Sequence, residues 1–157
     1  MRLRPWLRKT VLVVHIAGSV ALLGEVWALV VLNTLATTGE IPLARGAYKL
    51  MSTLVFAGGI PLSMISLITG ILLATTSHWG LLRHFWVMAK LTLLILVICV
   101  GMFLFDPGGM AVAPLPSPTM QWGQVAAVSA QVVMLVTATC LSVFKPGKRR
   151  SRAVPAG

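Results

Sequence analysis

The sequence predicts an all-α membrane protein, an antiparallel four-transmembrane-helix bundle with both termini cytoplasmic. Three observations predict it. The first is composition: 57% of the 157 residues are hydrophobic and only 10% are charged, with a mean hydropathy of +0.92. A soluble domain of this size keeps too much surface for its volume to bury so large an apolar share. The second is that the apolar residues fall into four runs of roughly 20 residues, the length that crosses a hydrocarbon core of about 30 Å at 1.5 Å per residue. The third is the one-sided placement of the cations.

The runs cover about 10–33, 51–75, 85–105 and 123–144, one membrane domain with a basic tail at 145–157. The first starts behind Arg2, Arg4, Arg8 and Lys9, as a secretory signal would. Its apolar core is longer than a signal's, and no small-residue cleavage site follows, so a retained helix is expected. Ala17, Ala21, Gly24 and Ala28 form a small-residue stripe on it. The second run has a matching stripe at Gly59, Ser63, Ser66 and Gly70, and a helix-kinking Pro61. Helices in lipid associate through close backbone approach and interhelical hydrogen bonds, so these stripes are expected to face each other or another helix. In the fourth run Gln124 and Gln131 share a face, and an amide at mid-membrane points inward, as interhelical glue or as the lining of a ligand site. Cys99 and Cys140 lie near opposite membrane faces, which suits buried thiols better than a disulfide.

Of the thirteen cations, Arg2, Arg4, Arg8, Lys9, Arg83, Lys90, Lys145, Lys148, Arg149, Arg150 and Arg152 fall on one side of the helices, and only Arg45 and Lys49 on the other. The positive-inside rule then puts both termini and the 76–84 loop in the cytoplasm, as for a multi-pass protein of a bacterial plasma membrane. The tail anchors this topology and can touch anionic lipid, at about 1 kcal/mol per residue near the surface. It is short and has no interleaved aromatics, so nucleic acid is not an expected partner. The outer connections are 34–49, with room for an interfacial helix around Leu43–Tyr48, and the Pro- and Gly-rich 106–122, where Asp106 reads as a cap or turn residue. Trp6, Trp79, Trp86 and Trp122 fall near the interfaces, where an indole is well solvated.

Ionisable groups inside a span are costly and so are candidate functional residues. His15 and Lys90 lie at similar depth from the cytoplasmic side, and Glu25 lies ten residues beyond His15, close to the His15–Gly18–Leu22 line. Lys90 can snorkel to the headgroups, and His15 can satisfy itself on a neighbouring helix. Alternatively, Arg83, Trp86 and Lys90 share a face that would bring Lys90 towards His15, with Arg83 at the interface. A histidine with a facing group and a cation placed for propionates is how a bundle holds haem b. A metal site at His15, His78 and His84 lacks the usual ligand spacings.

The segments KTVLVVHIAGSVALLG (9–24) and WGLLRHFWVMAKL (79–91) resemble a family of small actinobacterial four-helix integral membrane proteins of unknown function, CopD-like and distantly similar to HemJ-type protoporphyrinogen oxidases. In the HemJ-type enzymes a helix-1 histidine and a helix-3 lysine are associated with haem b and activity. The resemblance implies those roles for His15 and Lys90. Leu22 stands where relatives carry tryptophan, and no arginine after helix 1 matches the HemJ pattern, so enzyme activity is not expected. Three readings follow: a haem b or other cofactor site near His15, Lys90 and Arg83, with Glu25 and Gln131 as further polar groups; a CopD-like metal or small-molecule transport component; or an accessory subunit without chemistry. The bilayer is the expected partner, with a second copy or another membrane protein as further candidates.

Overall fold

The computed structural model describes residues 4–76, 85–103, 106–112 and 114–144, and every regular element among them is helical. α1 spans Pro5–Thr38, α2 Ile41–Leu54, α3 Ile60–Thr76, α4 Phe85–Phe103, α5 Pro107–Val112 and α6 Pro118–Phe144. A π-helical turn, Val55–Gly59, joins α2 to α3 without a break. Four rods, α1, α2–α3, α4 and α6, are therefore long and apolar enough to cross a membrane. The chain is an antiparallel transmembrane helical bundle. α1 packs on α2, α3 and α6, and α4 packs on α3 and α6, which sets α1 and α4 on a diagonal. We call the end with the α1–α2 connection the hairpin end and the opposite one the terminal end.

Three of the four rods outrun the apolar segments that predict them. α1, with 34 residues, is about 51 Å long at 1.5 Å per residue. Pro5 starts it, where a missing N–H costs nothing. At its far end the hydroxyls of Thr34, Thr37 and Thr38 donate to the carbonyls of Val30, Asn33 and Thr34, which keeps the polar end helical. The outer connection expected over 34–49 thus shrinks to Gly39 and Glu40. A Cβ at residue 39 would stand 2.7 Å from the Leu35 carbonyl oxygen and 2.7 Å from Leu43, so this turn admits only glycine. The interfacial helix expected around Leu43–Tyr48 is the start of α2, with Ala44, Ala47, Tyr48 and Met51 buried and Arg45 and Lys49 exposed.

The other outer connection holds the short α5. Asp106 caps it, its Oδ1 accepting the Gly109 N–H at 3.0 Å. Met110, Ala111 and Leu115 then cover a core of Leu29, Ala36, Tyr48, Met51 and Val128 at the hairpin end. A second core, Leu22, Val26, Val97 and Leu135, joins α1, α4 and α6 across the diagonal.

Instead of a simple kink, Pro61 is met by the π turn just before it. The Ile60 N–H reaches back five residues to the Val55 carbonyl. This wide turn makes room for a proline ring that would otherwise strike the preceding turn.

Gln131 acts as interhelical glue. Its Nε2 donates to the Val97 carbonyl of α4 at 2.8 Å, over Gly101, where a Cβ would come within 3.3 Å of that nitrogen. Gln131→Leu, which keeps the volume but loses the bond, is expected to destabilise the bundle by about 1 kcal/mol, read as a lower unfolding midpoint in detergent.

Candidate functional site

The inner face of α1 carries Gly18, Leu22, Val26, Leu29, Asn33 and Ala36, all buried, at spacings of three and four residues. His15 and Glu25 lie on its edge, half-buried. The α3 stripe faces α1 as expected: Gly59 lies under Glu25, Ser66 beside Gly18 and Gly70 under His15. The α1 stripe does not, because Ala17, Ala21 and Gly24 are exposed on the outside of the bundle. Polar side chains must turn away from lipid, and His15, Glu25 and Asn33 together override the preference for packing small residues. Only Gly18 serves the close approach on the α1 side, a Cβ there meeting Ile65 and Ser66 at 3.4 Å.

His15 is held in one tautomer by its neighbours. Its Nδ1 lies 2.9 Å from Thr69 Oγ1, and the Thr69 hydroxyl donates its single hydrogen to the Ile65 carbonyl. The oxygen can then only accept, so Nδ1 carries the proton and Nε2 keeps its lone pair. The imidazole rests on Gly70, where a Cβ would stand 3.2 Å from Cε1.

Lys90 extends from α4 to α6, where Nζ donates to Ser142 Oγ at 3.0 Å. It also stacks on the Trp86 ring, 4.9 Å from the centroid, which agrees with the shared face expected of these residues. Ser142 lies near the end of α6, so the ammonium sits towards the terminal end. Arg83, His78 and His84 lie outside the described residues.

Glu25 projects onto the π turn. A Cβ at residue 59 would stand 2.9 Å from its Oε1 and 3.1 Å from Oε2, and one at residue 58 3.5 Å from its Cγ. Oε1 is buried and has no hydrogen-bond partner.

Two polar residues that sequence reasoning passed over, Asn33 and Tyr48, are 0% exposed. Neither Asn33 side-chain atom nor Tyr48 Oη has a partner, and Gln124 Oε1 and Ser66 Oγ are also buried without one. Asn33 lies one turn beyond Leu29 on α1, and Gln124 one turn before Val128 on antiparallel α6. Leu29, Val128 and Tyr48 share one core, so the three polar groups occupy neighbouring layers at the hairpin end. The available signal was Asn33's place on the helical line through His15, Leu22 and Leu29; Tyr48, at the end of the expected interfacial helix, offered none.

Among the described residues, no three His, Cys, Asp or Glu side chains converge as a metal ion would require. No family model, curated protein or solved structure matches the chain.

A buried hydroxyl without a partner adds desolvation cost and no bond, so its removal at constant shape is nearly neutral or stabilising. Tyr48→Phe is therefore expected to leave the unfolding midpoint in detergent unchanged or raised, whereas Tyr48→Ala, which empties the core layer, should lower it by about 3 kcal/mol or more.

Proposed function

We propose that this is a haem b-binding multi-pass protein of a bacterial plasma membrane, with both termini cytoplasmic, allied to the CopD-like and HemJ-type proteins that its first and third helices resemble. The observation that carries the reading is His15, whose ring is oriented through Nδ1 and whose Nε2 keeps its lone pair. A histidine that ligates iron in a helix bundle is held in this way, its second ring nitrogen donating to an outer partner.

The donor set suits haem b in three respects. His15 Nε2 is an axial nitrogen. Gly70 leaves the imidazole room that any side chain would take. Lys90, on the diagonal helix and towards the terminal end, supplies a cation for a propionate. Arg83 is the further cation the sequence places at that interface. Haem b bound there would supply one-electron chemistry, with His15 and Lys90 orienting and charge-balancing it. The metal-transport reading finds no converging ligand set among the described residues.

The protein purified in mild detergent from haem-replete cells is expected to show a Soret band. His15→Ala should abolish it, Gly70→Ala should weaken or shift it by crowding the ring, and Lys90→Ala should lower haem retention. A wild-type protein without a Soret band even after haem addition overturns the proposal.

The topology is checked separately. Eleven of the thirteen cations lie at the terminal end or in the sequence flanking it, which supports a cytoplasmic terminal end. A fluorescent protein fused after residue 157 is expected to be bright, and alkaline phosphatase at the same place inactive; the reverse pattern overturns the assignment.

A further inference from the structure

The two central features of adjacent rods meet at one depth. Glu25 lies close to the midpoint of α1, Pro5–Thr38, and the π turn Val55–Gly59 lies at the midpoint of the continuous rod Ile41–Thr76. Both lie inside the apolar runs 10–33 and 51–75, and there the carboxyl of Glu25 lies against the bare backbone of Gly58 and Gly59.

Three facts make this more than a tolerated polar residue. Its Oε1 is buried with no hydrogen-bond partner. Among the described residues no cationic side chain pairs with it. An ionised carboxylate alone in a low-dielectric interior costs many kcal/mol, so the group needs a neutralising partner that is not a side chain of the described bundle. The second rod, moreover, is irregular at this point, and irregular helices inside the membrane are where carriers place their ion sites. The packing leaves little room, since even a methyl group at residue 59 would press on both carboxyl oxygens. The partner is therefore small and hard, which disfavours large or soft cations. Unpartnered polar atoms lie to either side along the bundle, at Ser66 towards the terminal end and at Asn33, Tyr48 and Gln124 towards the hairpin end.

We propose that Glu25, seated on Gly58–Gly59 of the π turn, is an intramembrane exchange site for a proton or a sodium ion. The site is separate from His15 and independent of the haem reading, so a chain without a Soret band leaves this test unaffected.

The test is modification by dicyclohexylcarbodiimide, an apolar reagent that reacts with carboxyl groups inside membranes. The intact protein in detergent is treated in sodium chloride or in choline chloride, and the modified residue is located by peptide mass spectrometry. The sequence holds three acidic residues, and Glu40 and Asp106 are exposed at helix ends. Selective labelling of Glu25 is expected, absent in Glu25→Gln. Slower labelling in sodium than in choline identifies a sodium site; equal rates identify a proton site. Gly59→Ala keeps the carboxyl but pushes it off its seat, and should change the labelling rate several-fold or remove the sodium effect, with an unchanged gel-filtration profile. An unlabelled Glu25 in the wild-type protein, or Gly59→Ala labelling as the wild type does in both salts, overturns the proposal.

Discussion

The close contact between α1 and α3 sets the rest of the bundle. Lipid offers polar groups nothing, so His15 and Glu25 need a neighbouring helix that can admit them, and α3 can do so because Gly59, Ser63, Ser66 and Gly70 expose its backbone along one face. Once His15 lies on Gly70 and Glu25 on Gly59, the rotation of α1 is determined. Leu22 and Val26 then point to the centre, where they meet Val97 and Leu135 from the other two rods. Helix association in lipid lacks a hydrophobic drive, so packing of this kind and a few hydrogen bonds decide the arrangement. The Gln131 bond to Val97 does on the α4–α6 side what the small residues do on the α1–α3 side.

The second rod shows how a local defect is absorbed. A proline in a helix interior costs about 3 kcal/mol when the helix must remain regular. Here the helix widens for one turn just before Pro61, and two glycines supply the backbone that the wide turn presents to α1. Pro61, Gly58 and Gly59 thus act together, one requiring the irregularity and the others opening its inner side. A side chain as large as glutamate can enter the interface at that depth because the turn has no side chains of its own there.

Polar groups on the membrane-spanning helices divide into two kinds. The threonines of α1, α2, α3 and α6 donate to carbonyls in their own helices and are satisfied locally. Half-buried Glu25 and buried Asn33, Tyr48 and Ser66 carry unpaired polar atoms along the interface of α1 with α2 and α3. Native interiors contain few such atoms, and those that persist call for an explanation such as water, an ion or a ligand. Their alignment along the α1 interface connects the terminal end, with His15, to the hairpin end, with Asn33 and Tyr48.

Hydropathy alone determined the class of the protein and the number of its spans, because an apolar run of about 20 residues has few stable solutions other than a membrane helix. The inward aim of Gln131, the capping role of Asp106, the shared face of Trp86 and Lys90 and the inward α3 stripe were also legible, since each follows from the local period of a helix. The lengths of α1 and α2 were not, because hydropathy marks the part of a helix in hydrocarbon and is blind to the threonine-capped and amphipathic turns beyond it. Nor was the rotation of α1: its alanine stripe and its polar line were both plausible inner faces, and only the backbone exposed by α3 decided between them. Tertiary structure alone brought Glu25 onto the π turn and fixed the His15 tautomer through Thr69. Those are relations between residues more than thirty positions apart, and helical periodicity carries no information on which neighbour a face will meet.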